Sequence, residues 1–162
     1  MKVFRRIQTR KVNDALQFVI KNMPELIPSL ITGRLFEEGV DSDNRQLQTD
    51  IAKEKKMPFY SDFTVKVKQS KKQKYTNVTL NDTGNFYNSI KAISYEKFVN
   101  ILADMNKEGN HIADNFTDMY SNEQQFEKKI LNLSDEDKEV FKRNILPFFI
   151  KTYKNMVIAS IR

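Results

Sequence analysis

The sequence predicts an α+β fold, in which N-terminal helices and a long C-terminal helix pack with a small antiparallel sheet of about three to five strands. Near both ends of the chain, apolar residues recur every three or four positions, which is the helical period. Between residues 63 and 80 they alternate with polar residues, which is the strand period. The 162 residues, of which 40% are hydrophobic, suit a single domain over 1–162 with one core.

Two helices are predicted before residue 40. The first spans 4–23, and its apolar face consists of Val12, Leu16, Val19, Ile20 and Met23. Pro24 ends this helix, because the residue before a proline avoids the α region. The second helix covers 24–38, and Gly39 is its predicted stop. Residues 40–58 are polar without a clear period, so we expect a loop or an extended arm that reaches a neighbouring subunit.

A β-hairpin is predicted over 63–80. Its first strand alternates Phe63, Val65 and Val67 with Thr64, Lys66 and Lys68. Residues 70–74 make the turn, and residues 75–80 run back beside the first strand. Two further strands are expected within 91–98 and 99–105, joined by a turn at 94–97, and the pair Gly109-Asn110 is expected to end the sheet.

The C-terminal part is predicted to be helical. Residues 110–132 offer short helical stretches, and a long helix is predicted over 134–161. Ser134 is a good cap for its first turn, and the acids that follow favour the positive end of the helix dipole. Pro147 lies inside the apolar pattern and is expected to kink or split this helix.

The segment 78–90 is the most distinctive part of the chain. It is predicted to be a strand that ends in a tight turn and continues as a short helix, with Gly84 free to adopt a positive φ. Its pattern resembles the Thr-Gly signature of the virion-morphogenesis, tail-completion and head–tail connector proteins of tailed bacteriophages. The matching residues are Leu80, Thr83, Gly84, Phe86, Ser89 and Ile90.

Two upstream segments agree with this resemblance. Residues 35–42 resemble a Leu-Phe-x-x-Gly-x-Asp-Ser segment, and Tyr60, Ser61 and Thr64 resemble a Tyr-Ser-x-x-Thr segment that precedes a lysine-bearing strand. The resemblance covers roughly residues 35–105. It implies a structural protein of the virion, assembled in the host bacterial cytoplasm, that forms a homo-oligomeric ring in the neck or tail-completion layer beside portal, neck or tail proteins. Thr83 and Ser89 would then hold the fold.

The residues offer little for catalysis. The chain has no cysteine, which excludes disulfides and thiol chemistry. Its one histidine, His111, has no second imidazole or thiol with which to hold a transition metal, although Asp114 and Asp118 follow it at helical spacings. No serine lies in a nucleophile elbow, and no glycine-rich phosphate loop is present. We therefore expect no catalytic residue, no cofactor and no enzymatic activity.

A calcium site is not expected either. Residues 41–44 begin like a calcium loop, but Gln46 stands where the loop needs glycine, and Ala52 stands where it needs the bidentate glutamate. No apolar run is long enough to span a membrane, so we expect no membrane contact.

The net charge of +6 is unevenly placed, with basic clusters in the first eleven residues, at 53–56 and at 66–74. Either these lysines are solvated surface, or they meet DNA phosphates or an acidic partner. Within a ring, Lys71, Lys72 and Lys74 are the candidates to face DNA. Two alternatives stay open: a free basic nucleic-acid-binding protein, which would stack bases on Phe63 or Tyr75, and a small regulatory phage protein or an unrecognised enzyme.

Overall fold

The computed structural model describes residues 2–95 and 98–159, and within them it confirms the α+β class. Seven α-helices occur in chain order: α1 Lys2–Asn22, α2 Leu26–Glu37, α3 Asp50–Glu54, α4 Asp62–Ser70, α5 Asn85–Ser89, α6 Glu123–Leu131 and α7 Asp135–Ala159. A 3₁₀ turn covers Ile112–Asn115. The four strands are β1 Lys91–Ser94, β2 Val99–Leu102, β3 Asn106–Lys107 and β4 Asn110–His111.

The strands form two separate two-stranded hairpins rather than one sheet of three to five strands. β1 pairs antiparallel with β2, with Lys91 opposite Leu102 and Ser94 opposite Val99. β3 pairs antiparallel with β4, and Gly109 lies in the turn between them. The predicted strands within 91–105 are therefore confirmed, whereas Gly109-Asn110 continues a second hairpin where we expected the sheet to end. Two residues of the predicted 94–97 turn, Glu96 and Lys97, lie outside the described residues.

The predicted hairpin at 63–80 is wrong. Residues 62–70 form α4, because Ser61 caps a helix: its Oγ accepts a hydrogen bond from the Thr64 N–H at 3.3 Å. Asp62 lies in the first turn, where a carboxylate is favoured by the helix dipole. The alternation of three apolar residues was too short to distinguish a strand from an amphipathic helix.

The return segment 75–80 is extended but pairs with no strand among the described residues, because side chains satisfy its backbone. The Tyr60 hydroxyl accepts a hydrogen bond from the Thr79 N–H at 2.9 Å, and the Tyr87 hydroxyl donates one to the Thr79 carbonyl. Nearby, the Asn77 side chain donates to the Phe36 carbonyl at 3.2 Å. Two tyrosines thus take the place of a neighbouring strand.

The helices at the two ends agree with the prediction. α1 and α2 reproduce the helices expected at 4–23 and 24–38, and α7 reproduces the long C-terminal helix up to Ala159, beyond which the chain is outside the described residues. Pro147 does not split α7, which continues on both sides of it. α1 and α7 form the largest helix–helix contact between described elements, and the Lys11 ammonium lies 3.5 Å from the Met156 carbonyl oxygen.

The main core lies between α2, α5, α6 and the irregular segments around them. Its most deeply buried apolar side chains are those of Ile31, Leu35, Leu47, Val78, Phe116, Phe126 and Ile130. Six buried apolar residues lie outside this cluster: Val40 and Ala52 of the 40–58 segment, and Ala15, Val19, Ile20 and Ile145, which belong to α1 and α7. The protein therefore has one main core and a smaller apolar contact in which α1 and α7 take part.

Residues 40–58, expected as a loop or an arm, contain α3 and pack against the body of the protein. Leu47 and Ala52 are fully buried. The loop before them is organised by the buried Asp41 carboxylate, which accepts hydrogen bonds from the Asp43 and Arg45 N–H groups, the Arg45 guanidinium and the Tyr120 hydroxyl. Asp41, which resembled the first residue of a calcium loop, instead fixes a turn.

Candidate functional site

The Thr-Gly turn connects the extended 75–80 segment to α5. Gly84 has a φ of +84° and precedes the first residue of α5, so the predicted left-handed turn is present. The Thr83 hydroxyl accepts a hydrogen bond from the Asn85 N–H at 3.4 Å. Leu80 also has a positive φ, of +51°, and half-buries its side chain against the core. The chain thus bends twice within five residues.

The remaining motif residues anchor the turn to the core. Phe86 and Ile90 are buried in the main cluster. The Ser89 hydroxyl donates to the Phe86 carbonyl at 2.7 Å and accepts from the Asp104 N–H at 2.8 Å, which ties α5 to the end of β2. All six motif residues therefore lie in one turn–helix unit, and their contacts are those of residues that hold a fold.

A groove of about 340 Å³ lies beside this turn, between α4, the 78–82 segment and the 3₁₀ turn. Its walls are mainly apolar, and the exposed side chains of Ile51 and Phe63 lie at its margin. The charged residues that line it are Lys68, Lys71, Lys107 and Asp82. The sequence had marked Phe63 and Lys68 as alternating strand residues, and it had not connected either with Lys107.

Lys68 is buried at the floor of the groove. Its ammonium donates to the Asn81 carbonyl at 2.9 Å, lies 3.5 Å from the Thr79 hydroxyl and stands 5.0 Å from the centre of the Tyr60 ring. Within the described residues no carboxylate forms an ion pair with it. Burial lowers the pKa of Lys68, because it removes water from the charged form.

Asp82 connects two other lysines at the rim. Its two carboxylate oxygens lie 2.8 Å from the Lys71 ammonium and 2.7 Å from the Lys107 ammonium. Hydrogen bonds from Lys107 and Lys71 lower the pKa of Asp82 to about 2, so the carboxylate is charged at neutral pH. Both of its oxygens are in ion pairs with these two lysines, so Asp82 acts on Lys68 only through its charge and forms no ion pair with it.

The three lysines proposed to face DNA differ in their surroundings. Lys71 is paired with Asp82, and Lys74 bonds the carbonyl and carboxylate of Glu37 at 2.8 and 3.2 Å. Lys72 is exposed and has a φ of +53°, and no described carboxylate pairs with it. The structure therefore does not present the three as one free basic patch.

His111, the one histidine, has a structural place. Its Nδ1 accepts a hydrogen bond from the Ala113 N–H at 3.1 Å and so caps the 3₁₀ turn. Its Nε2 lies 3.2 Å from a Glu127 carboxylate oxygen. Within residues 2–95 and 98–159, no group of three or more metal-binding side chains is placed to hold an ion.

Exposed large apolar residues also occur on α7 and on the β1–β2 hairpin. On α7, Leu146 and Ile150 are exposed on one face, and Phe148 and Ile158 are exposed elsewhere on the helix. The outer face of the β1–β2 hairpin exposes Ile93 and Leu102, and its exposed Tyr95 and Phe98 rings stack 4.9 Å apart. Leu146 with Ile150, and Tyr95 with Phe98, are neighbouring exposed apolar side chains, and contiguous patches of this kind are typical of protein interaction surfaces.

Charge is strongly segregated along the chain. Residues 1–13 and 140–162 carry ten of the 27 Lys and Arg residues and none of the 21 Asp and Glu residues. The intervening residues 14–139 therefore hold 17 basic and 21 acidic residues, a net charge of −4. α1 packs on α7, and these two helices together hold 11 basic and 5 acidic residues, a net charge of +6, whereas residues 23–134 hold 15 basic and 16 acidic residues, a net charge of −1.

Comparisons with protein-family models, with curated proteins and with solved structures found no match to this chain. The described helices include none that is long and apolar enough to cross a membrane. What can be inferred about function therefore depends on the surfaces described above and on the resemblance of the Thr-Gly segment.

Proposed function

We propose that this protein is a structural component of a tailed-bacteriophage virion, which forms a ring in the neck or tail-completion layer at the head–tail junction. The observation that carries the proposal is the pairing of an uncovered apolar face on α7 with segregated charge. The Thr-Gly segment gives the proposal its phage context, since its residues occupy one turn–helix unit followed by a β-hairpin. The Tyr60–Thr64 segment gives no such support, because it leads into α4 where a lysine-bearing strand was expected.

A closed ring requires heterologous contacts, in which one patch of a subunit meets a different patch of its neighbour. The α1–α7 pair carries a net charge of +6 and exposes Leu146 and Ile150, while residues 23–134 carry a net charge of −1. Two such basic pairs repel each other, so the charge favours contact between the pair and a different, nearly neutral part of the next subunit over contact between identical patches. Contacts of this kind run in one direction around the ring.

The decisive experiment measures particle composition. We expect mass spectrometry of purified virions to detect the protein in a fixed ratio to the other neck proteins. The double substitution Leu146→Glu and Ile150→Glu should reduce its incorporation at least tenfold, because it places carboxylates on the apolar face. Both side chains are exposed, so the thermal midpoint of the isolated protein should change little.

A matched control is available on the same helix. Asn144 and Asn155 are exposed, and helical geometry places them on the side of α7 away from Leu146 and Ile150. Asn144→Glu with Asn155→Glu adds the same charge and should leave incorporation unchanged. Absence of the protein from mature particles, or equal loss in both double variants, would overturn the proposal.

A free nucleic-acid-binding protein is the second candidate, and the acid-free basic stretches favour it. Such a protein would bind duplex DNA with an affinity that falls steeply as salt rises. The exposed apolar residues of α7 argue against it, because phosphates do not cover them. DNA binding that survives the Leu146 and Ile150 substitutions, in a protein absent from virions, would favour this candidate.

A further inference from the structure

We propose that the groove beside the Thr-Gly turn binds a short peptide segment of a partner protein that carries apolar and acidic side chains. The groove is formed by α4, the 78–82 segment and the 3₁₀ turn. Its lining residues belong neither to α7 nor to the β1–β2 hairpin. The proposal is therefore separate from ring formation, and either can fail without the other.

The first argument is the exposure of Phe63. Its side chain is 75% exposed, the largest fraction among the exposed large apolar residues that the structure describes, and it lies at the margin of the groove with Ile51, which is 53% exposed. Val67 and Leu80 continue the apolar wall inward. A partner that covers Phe63 removes a large apolar surface from water, which is a typical anchor of a peptide contact.

The second argument is charge. The charged residues that line the groove are three lysines and one aspartate, so its net charge is +2. Asp82 is shared between Lys71 and Lys107, while Lys68 at the floor pairs with no described carboxylate. An acidic side chain in the groove would supply the missing negative charge beside a desolvated cation, where electrostatic attraction is stronger than at an open surface.

The combination favours a peptide over nucleic acid. A strand of nucleic acid would bring several phosphates past the rim, where Asp82 repels them and the two rim lysines are already paired. A peptide can place aliphatic or aromatic side chains on Phe63 and one carboxylate near Lys68. The occupant is therefore defined by its chemistry: an apolar residue followed or preceded at short range by Asp or Glu.

The test selects peptides from a displayed library of random heptapeptides on the immobilised full-length protein. We expect the enriched peptides to combine aromatic or aliphatic residues with Asp or Glu. A fluorescein-labelled copy of the best peptide is then titrated by anisotropy, beside a copy in which Asp and Glu are replaced by Asn and Gln. The neutral copy should bind at least about fivefold more weakly, because it cannot compensate the groove charge.

Two pairs of variants separate the groove from the rest of the surface. Phe63→Ser and Lys107→Gln change the groove, whereas Phe98→Ser and Lys66→Gln change exposed residues of the same types that do not line it. Each groove variant should weaken binding about fivefold or more, and each control variant less than twofold. Both sets alter exposed side chains, so circular dichroism melts should coincide.

Three outcomes would overturn the proposal. One is a selection that enriches no acidic, apolar peptide. Another is equal weakening in the groove and control variants. The third is displacement of the peptide by a thymidine 15-mer at a lower concentration than the unlabelled peptide needs, which would assign the groove to single-stranded nucleic acid. Virion incorporation should be unaffected by Phe63→Ser, which keeps this result distinct from the ring experiment.

Discussion

Thr79 illustrates how single side chains direct the backbone beside the Thr-Gly turn. Its N–H and carbonyl are buried and would each cost about 1–3 kcal/mol if left without a partner. The Tyr60 hydroxyl accepts the hydrogen bond of the N–H, and the Tyr87 hydroxyl donates one to the carbonyl. Burial raises the pKa of both tyrosines, so their hydroxyls stay protonated and available as hydrogen-bonding groups.

Substitution of glycine by alanine should give three different results at three positions. At Gly84 an added Cβ has room, with its nearest neighbour at 3.7 Å, but φ is +84°, so Gly84→Ala should cost about 1–2 kcal/mol. At Gly39 the Cβ would lie 2.9 Å from the Val78 carbonyl oxygen with φ at +68°, so the cost should exceed about 3 kcal/mol. Urea denaturation of the two variants measures both changes in the free energy of unfolding.

Gly33 supplies the control for these two positions. It lies inside α2, and no atom comes within 4 Å of an added Cβ. Gly33→Ala should stabilise the protein by about 0.5–1 kcal/mol, because alanine loses less backbone entropy in a helix. Equal effects at all three positions would contradict the assigned backbone geometry.

At the scale of elements, the start of α7 is tied to α2 through one carboxylate. The Ser134 hydroxyl accepts from the Asp137 N–H and the Asp137 carboxylate accepts from the Ser134 N–H, both at 3.0 Å, which is a capping box. The same carboxylate lies 3.1 Å from the buried Arg34 guanidinium, whose other end donates to the Ile130 and Asn132 carbonyls. The Asp137 carboxylate therefore both caps α7 and pairs with the buried guanidinium of Arg34 in α2.

Asp137→Asn should destabilise the protein by about 3 kcal/mol, because it leaves the Arg34 charge buried without its partner. Ser134→Ala removes only the cap and should cost about 1 kcal/mol. Glu136→Gln, an exposed change of the same type in the same turn, should stay within about 0.5 kcal/mol. Chemical denaturation compares the three, and an Asp137→Asn protein as stable as Glu136→Gln would refute the dual role.

The elements that could be predicted from the sequence were those with long apolar periods. α1, α2 and α7 each repeat the helical spacing over several turns. The Thr-Gly turn is indicated by Asn, Asp, Thr and Gly in succession, which are characteristic turn residues. α4 was missed because Phe63, Val65 and Val67 alternate with the strand period, whereas only Phe63 and Val67 stand four residues apart as in a helix. The Ser61-Asp62 cap signal was present, but it was outweighed by the alternation.

The groove could not be predicted for a different reason. Tyr60, Lys68, Asp82 and Lys107 are brought together by loops whose paths depend on side-chain hydrogen bonds to the backbone. Hydrogen bonds from side chains to the backbone do not produce a periodic pattern in the sequence, so the pattern analysis could not detect them. The Asp41 turn is similar, since its four hydrogen bonds include one from Tyr120, 79 residues away.

For the whole molecule, the division into a main core and an α1–α7 contact predicts uneven stability. Most buried apolar residues belong to the main cluster, while Ala15, Val19, Ile20 and Ile145 lie outside it. Hydrogen exchange should therefore be faster for amides in the middle of α1 than for those in α2 and α6, by about tenfold or more. Uniform protection across these helices would show that the protein opens only as one unit.

The contact between α1 and α7 joins helices that are separated by residues 23–134. On a ribosome, the first helix leaves the exit tunnel roughly ten seconds before the last one is complete, at common elongation speeds. During that interval the side of α1 that packs on α7 has no intramolecular partner, although α1 also contacts the earlier β1. Nascent chains should therefore engage chaperones through α1, and docking of the two helices should be the closing event of folding after release.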